Sequence, residues 1–306
     1  MKVAVLGSAN MDLVGTAASL PRPGETVLGT GFTMVAGGKG ANQAVAATRA
    51  GAECVMVAAV GTDSFGQALR DGMAGAGIDT SLVREVPGAS GVALIAVDEA
   101  GENQILVAPG ANAALTRLTH DERAAIAAAD ALICQLEVPI ETVAQAAAVA
   151  RAAGVRVVVN AAPARPLPAS LTRSTDLLVV NRGEAEVITG LAGAGVEQLL
   201  DALVRQVPRV VITLGAQGAV HGDENGTRLT VPAPTVSTVD TTAAGDAFIG
   251  ALTVAWMEDR PMETALRWAA AAGAACVRTL GAATSLPVRS EIDALFAAAY
   301  PQGVVA

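Results

Sequence analysis

Asp240-Thr241-Thr242-Ala243-Ala244-Gly245-Asp246-Ala247-Phe248 is the stretch around which the rest of the chain is organised. A β-like run, Leu229 to Val239, precedes it, and an Ala-rich run of helical character, Ala247 to Trp256, follows. Small residues at such a strand-to-helix turn let backbone N–H groups approach a ligand closely. The first turn of a helix leaves those donors unpaired, and the macrodipole adds partial positive charge. Phosphate suits such a place, and Asp246 sets a carboxylate beside it. Two roles fit that carboxylate. It caps the helix, or it accepts the proton of an alcohol while the alcohol attacks a phosphoryl group.

Upstream, short apolar runs alternate with helical ones. Val3–Leu6, Cys54–Val60, Ala131–Gln135, Val155–Val159, Leu177–Val180 and Val210–Leu214 read as buried strands. Helical stretches lie between them, one of them opened by Pro139, a residue tolerated at a helix start. This rhythm predicts an α/β fold with a mainly parallel, doubly covered sheet and right-handed crossovers. In such sheets ligands bind at the carboxyl ends of the strands. The loop carrying Asn10 and Asp12, and Gln135-Leu136-Glu137, are expected there. Asn10 and Asp12 suit hydroxyl recognition or form a bare turn.

Pro21–Val35 and Gly91–Ala108 break the rhythm. The second holds two extended runs around Asp98-Glu99-Ala100-Gly101-Glu102, a hairpin turn. Together they predict a small antiparallel sheet inserted near the N-terminus of one continuous domain, 1–306, as a lid formed by about residues 13–36 and 91–109. Between them Gly37-Gly38-Lys39-Gly40-Ala41-Asn42-Gln43 leads into a helical run that Gly51 stops. It is no P-loop. The upstream glycine is missing, and Gly40 rather than Ser or Thr follows the lysine. Lys39 either neutralises phosphate charge or sits in solvent.

Composition narrows the partners. The 306 residues carry a net charge of −9, which argues against nucleic acid or an anionic membrane surface. Three cysteines without pairing or metal-ligand spacing point to a reducing cytoplasm. Two histidines in unrelated settings make a His-based triad or zinc site a poor fit. Met1-Lys2 runs straight into a strand with no signal-peptide core, and no uncharged apolar run nears the roughly 20 residues of a membrane span.

The glycine cluster 37–43 and the distal stretch 240–246, in this order, resemble the two signature regions of ribokinase-like (PfkB) carbohydrate kinases. The likeness runs from Val3 to about Ile292 and takes in Ser8-Ala9-Asn10-Met11-Asp12, Pro21-Arg22-Pro23-Gly24-Glu25-Thr26, Pro109-Gly110-Ala111-Asn112 and Asn160-Ala161-Ala162-Pro163-Ala164-Arg165. It implies ATP-dependent phosphorylation of a sugar, D-ribose at its primary 5-hydroxyl. Asn10, Asp12, Gly38, Lys39, Asn42 and Glu137 match sugar-holding positions. Asn181 and Glu184 match an Asn-x-x-Glu pair that organises Mg²⁺, water and phosphate. Thr213, Gly215 and Gly218 match the nucleotide loop; Ala243, Ala244 and Gly245 match an anion hole, and Asp246 the catalytic base. Asp240, the Thr242 carbonyl and Ser285 match a K⁺ site, completed by the carbonyls of Cys276, Thr279 and Gly281. The lid itself, a thin sheet with one face its own domain cannot bury and with lone edges, is expected to pack against a second lid in a homodimer.

Other acceptors remain: fructose, a nucleoside, a keto-deoxy sugar acid, or no reaction in a silent sugar binder. Arg22 is the only Arg or Lys from Asp12 to Gly38, none lies between Gly91 and Pro109, and Phe32 is the lid's only aromatic. A neutral sugar fits this better than an acid or a nucleoside.

Overall fold

The continuous apolar runs fold as strands covered on both faces. The computed structural model describes residues 1–301, so positions 302–306 of the expected domain lie outside the described residues. In chain order the elements are β1 (Lys2–Leu6), β2 (Asn10–Ala17), β3 (Gly29–Gly37), α1 (Lys39–Ala50), β4 (Glu53–Gly61), α2 (Ser64–Gly75), β5 (Val83–Val86), β6 (Gly91–Val97) and β7 (Asn103–Ala108). There follow α3 (His120–Ala127), β8 (Ala131–Cys134), α4 (Ile140–Ala152), β9 (Arg156–Asn160), α5 (Ala169–Thr172), β10 (Leu177–Asn181), α6 (Arg182–Thr189) and α7 (Val196–Val204). The chain closes with β11 (Arg209–Thr213), β12 (Ala219–Asp223), β13 (Arg228–Val231), α8 (Ala244–Met257), α9 (Met262–Cys276) and α10 (Arg289–Ala299).

Among the described residues, nine strands form the principal sheet in the order β13-β12-β11-β10-β9-β8-β1-β4-β5. It is parallel from β11 to β5. Side chains of each strand alternate between two cores. Val3 and Val5 of β1 pack with Val45 of α1, Leu252 of α8 and Trp268 of α9, while Ala4 and Leu6 pack with Val143 of α4 and Leu199 of α7. The chain first builds outward from β1 through β4 to β5, then returns to lay β8 on the other flank of β1. That reversal opens a crevice at the carboxyl ends of β1 and β8.

In and around the principal sheet, three expectations change. The β-like run Leu229–Val239 is a strand only over Arg228–Val231, because Pro232 and Pro234 have no N–H for a ladder. The principal sheet ends in two antiparallel strands, β12 and β13, which the βα rhythm did not foretell. Their turn is held by the Asp223 carboxylate, which accepts from the N–H groups of Asn225 and Thr227, each at 2.9 Å. Asn10 and Asp12 sit not in a loop but at the root of β2.

The small sheet has the order β3-β2-β6-β7. β2–β3 and β6–β7 are antiparallel pairs, as expected, but β2 and β6 run parallel, so the sheet is mixed at its centre. Its first segment thus supplies two strands, β2 and β3, and begins at Asn10 rather than at about residue 13. Among the described residues no helix is long and apolar enough to cross a membrane.

α1 and α8 cross closely because small residues face each other. A Cβ on Gly250 would lie 2.5 Å from Ala46 Cβ and 2.7 Å from the Ala47 nitrogen. Gly250→Ala therefore meets two opposed effects. Alanine is favoured over glycine inside a helix by about 1 kcal/mol, whereas overpacking a filled core costs about 1–3 kcal/mol. Backbone atoms of α1 cannot rotate away, so overpacking wins. We expect the variant to melt a few degrees below the native chain in calorimetry; an unchanged or raised midpoint would show that the crossing has slack.

Candidate active site

Asp246 lies in the first turn of α8, yet it does not cap that helix. The N-cap is Ala243, in the left-handed region at φ 60° with no side-chain cap bond. The carboxylate instead accepts from α1: Oδ1 from Gln43 Nε2 at 2.9 Å and Oδ2 from Asn42 Nδ2 at 3.1 Å. It is 8% exposed, enough to meet one ligand atom. It borders a cavity of about 220 Å³ shared with Lys39, Asn160, Glu184, Ala243 and Gly245. The uncapped amides of the α8 start and the Asp246 carboxylate thus meet at one cavity, as the sequence suggests.

The end of β8 carries a second carboxylate into the crevice. Glu137 Oε2 accepts from Ser8 Oγ at 2.5 Å, from the Lys39 N–H at 3.2 Å and from Asn10 Nδ2 at 3.5 Å. Asn10 Oδ1 in turn accepts from Asn112 Nδ2 at 2.7 Å, which fixes the Asn10 amide. Gly38, the N-cap of α1, has φ 92°, and a Cβ there would stand 2.7 Å from the Asn10 nitrogen. Only glycine allows this approach. Asp12 lies against the end of β3, filling the space a Cβ on Gly37 would take.

Charge is crowded here. Burial, helped by Glu137 and Asp246 and opposed by Lys39, pushes the Asp12 carboxyl up to about 7. Burial also raises Asp246, against the pull of Lys39 and of the Gln43 and Asn42 amides. Burial raises Glu184, opposed by its bond to the Asn181 N–H and by Lys39. For Lys39, burial alone would lower the pKa, but Asp246, Glu137, Glu184 and Asp12 together outweigh it and hold the ammonium above its usual value. One cation therefore faces four carboxyl groups.

Asn181 and Glu184 form a capping box on α6. The Glu184 N–H donates to Asn181 Oδ1 and the Asn181 N–H to Glu184 Oε2, both at 2.8 Å. Glu184 still lines the cavity of Asp246, so its capping bonds leave it facing the site. No cluster of three or more His, Cys, Asp or Glu side chains among the described residues could hold a metal ion by itself. The acidic oxygens of the cavity nevertheless fit Mg²⁺, a hard ion that keeps several waters and needs few protein ligands.

A larger cleft of about 420 Å³ adjoins this cavity and shares Thr213, Thr241 and Gly245 with it. Gly215 (φ 58°) and Gly218 (φ 96°) form one wall; Pro234, Phe248 and Val277 are among the others, and no charged side chain lines it. A flat, largely apolar heterocycle fits there, with its anionic end reaching Ala243, Ala244 and Gly245 at the start of α8.

Behind that start, Asp240 Oδ1 accepts from the Thr242 N–H and Oδ2 from the Gly281 N–H, both at 2.9 Å. These bonds outweigh burial and hold the Asp240 carboxyl below the usual range. Cys276 Sγ lies 3.5 Å from the Thr242 carbonyl and 3.2 Å from Ser285 Oγ. The Ser285 hydroxyl donates to the Ala282 carbonyl at 2.8 Å, and Thr279, exposed, donates its N–H to the Cys276 carbonyl at 3.2 Å. Asp240, Thr242, Cys276, Gly281 and Ser285 are thus drawn together, and a carboxylate, a hydroxyl and backbone carbonyls fit a hard monovalent cation.

Several site residues carry no role in the sequence reading. Ser8, Gln43, Asn112, Gln135 and Asn160 are all buried and polar. Gln43 stands among small apolar residues of α1, which is the signal that could have found it. The apolar lining of the larger cleft left no signal, because the small and apolar residues it draws from the 233–241 loop, α8 and α9 look like ordinary core residues.

The chain has many relatives. The description "pfkB family carbohydrate kinase" matches residues 1–289. A ribokinase from Schizosaccharomyces pombe is 39% identical, over 97% of this chain and 98% of its own length. A ribokinase from Haemophilus influenzae is 38% identical, over 94% of this chain and 95% of its own length. Among solved structures, Arabidopsis thaliana ribokinase complexed with ribose and ATP superposes with a TM-score of 0.90 at 31% identity, covering 96% of this chain and 98% of that one. A match of this length, joined to a crevice that gathers both signature stretches, makes the chain a member of the pfkB family of carbohydrate kinases.

Proposed function

We propose that the protein transfers the γ-phosphoryl group of ATP to the primary 5-hydroxyl of D-ribose, giving ribose 5-phosphate and ADP. The observation that carries this reading is the Asp246 carboxylate. It is buried, held by two amides, and set where the uncapped start of α8 meets Lys39. A pure binding protein has no use for a costly buried carboxylate beside an anion site.

Asn10, Asp12, Gly38, Lys39, Asn42 and Glu137 hold the sugar through its hydroxyls, which side-chain amides and carboxyl groups receive well. ATP lies with its base in the apolar cleft beside Thr213, Gly215 and Gly218. Its phosphates run past Asn181 and Glu184 to the amides of Ala243, Ala244 and Gly245. Mg²⁺, when bound, offsets phosphate charge in a cavity that is otherwise acidic. Lys39 stabilises charge on the transferring group, and the α8 start receives it. A free alcohol is far too weak an acid for a carboxylate to ionise. Asp246 therefore takes the proton as the new O–P bond forms, and the upward push of burial on its pKa makes it a better acceptor at that moment. The small sheet closes over the sugar as a lid and excludes water.

One assay checks both substrate and base. ADP release should show the highest kcat/KM with D-ribose among ribose, fructose and adenosine; a preference for either of the others would overturn the sugar assignment. In the same assay Asp246→Asn should lose about 10²–10⁴ in kcat, with ribose and ATP binding kept within roughly tenfold. Native kcat in that variant would remove Asp246 from the chemistry.

K⁺ is the cation we assign to Asp240, Thr242, Cys276, Thr279, Gly281 and Ser285, where it orders the loop that ends in Ala243. Replacing K⁺ by Na⁺ at constant ionic strength should lower activity, and indifference to the exchange would count against the site. A reducing cytoplasm suits Cys54, Cys134 and Cys276, which are buried and unpaired.

The lid also supports a homodimer. Leu28 is 92% exposed, Phe32 68% and Leu106 65%, a set of large apolar groups that a second copy would cover. Its edge strands β3 and β7 each lack a partner on one side among the described residues. Light scattering at micromolar concentration should give a dimer and Phe32→Glu should weaken it; a native monomer would refute the assembly.

A further inference from the structure

Gln43 is fully buried in α1, and a buried primary amide is costly unless its hydrogen bonds are made. Here they all are. Nε2 gives one hydrogen to Asp246 Oδ1 at 2.9 Å and the other to Asn160 Oδ1 at 3.0 Å. Oε1 accepts from Gln135 Nε2 at 2.6 Å. Asn160 Nδ2 continues the chain to the Val179 carbonyl at 3.1 Å. Gln135 is packed in turn against Gly7, where a Cβ would meet its Oε1 at 1.9 Å.

The relay has a direction. Turning the Gln43 amide over would set its oxygen against two acceptor oxygens and its NH₂ against the NH₂ of Gln135. Asn160, held by the Val179 carbonyl of β10, therefore fixes which atom of Gln43 meets Asp246, while Gln135, whose own Oε1 has no partner, follows that choice. Asn42, the other partner of Asp246, has an Oδ1 without a hydrogen bond and borders a separate, mostly apolar cavity beside Val45, Leu69 and Met73. With that oxygen unpartnered, the Asn42 amide is less constrained in rotation than the Gln43 amide. Gln43 is fully buried and its polar atoms face only protein groups, so no ligand atom competes for its bond to Asp246.

We propose that Gln43 is a positioning residue for the phosphoryl transfer: the amide relay Gln135–Gln43–Asn160 locks the rotation of the Asp246 carboxylate and sets its basicity. This rests on the reading of Asp246 as the base. A hydrogen bond donated to a carboxylate favours the ionised form. The Gln43 amide thus opposes burial and keeps Asp246 ionised and aimed at working pH.

The test is the pH profile of kcat for two variants, with KM read alongside. Gln43→Met removes the donor at similar volume. Its kcat should fall roughly 10- to 100-fold, the effect of losing a hydrogen bond to a charged group. The acid limb of its profile should move to higher pH, since Asp246 loses a bond that favoured its charge. KM for ribose and ATP should change by less than about threefold. Gln43→Glu keeps the shape, but the introduced carboxyl can donate to Asp246 only while protonated. It should add an alkaline limb that the native profile lacks. Native kcat and unshifted limbs in both variants would overturn the proposal, as would equal losses in binding and kcat, or failure of both variants to fold. Asp246→Asn distinguishes the two readings. If that variant loses kcat while the Gln43 variants do not, only the positioning role falls; if it keeps kcat, the base itself is misassigned.

Discussion

Keeping the Asp246 carboxylate charged out of water constrains the whole molecule. An isolated buried carboxylate would take up a proton. Here two amides of α1 and the Lys39 ammonium oppose that outcome. Those partners reach Asp246 only if α1 and α8 touch along their backbones, which is why Gly250 meets Ala46 and Ala47. Gln43 holds its amide only if Gln135 and Asn160 stand at the ends of β8 and β9. One charge is thereby tied to two helices and three central strands. Small aliphatic side chains everywhere around it let these elements come close enough.

The same crowding shapes what the crevice accepts. Four carboxyl groups around one ammonium leave it acidic, so a bare polyphosphate would be repelled. An anionic ligand enters best with a cation of its own, and a neutral polyol enters freely. The two cavities divide accordingly: one apolar and uncharged, the other lined with Lys39, Glu184 and Asp246. They share Thr213, Thr241 and Gly245, so a molecule with a flat apolar end and an anionic end spans both.

Much of this was legible in the residues. The alternation of apolar runs gave the parallel sheet, because a strand buried on both faces must be apolar throughout. The position of Asp246 followed from a strand, a turn of small residues and a helix. What escaped had physical causes. Val220 and Gly222 pair in an antiparallel edge whose strands are short and mixed in polarity, so no period marks them. Pro232 and Pro234 cut a β-like run because a ladder needs donors that proline lacks. Asn10 and Asp12 belong to a strand since their backbones pair with Gly37 and Val35, a contact no local pattern encodes. Gln43 lies within a glycine-rich stretch that gives it no local role, because its partners are 92, 117 and 203 positions away.

Asn10 and Asp12 sit at the root of β2, and the exposed residues of the small sheet sit toward its far end. β2 has eight residues, so at about 3.3 Å each its reach is roughly 26 Å. A tilt of about 10° at the root would sweep the tip through roughly 4–5 Å at that rise per residue. The strand is thus long enough to act as a lever, with Asn10 and Asp12 at its root. A displacement too small to break a hydrogen bond at the root becomes, at the tip, a change in which surfaces can meet.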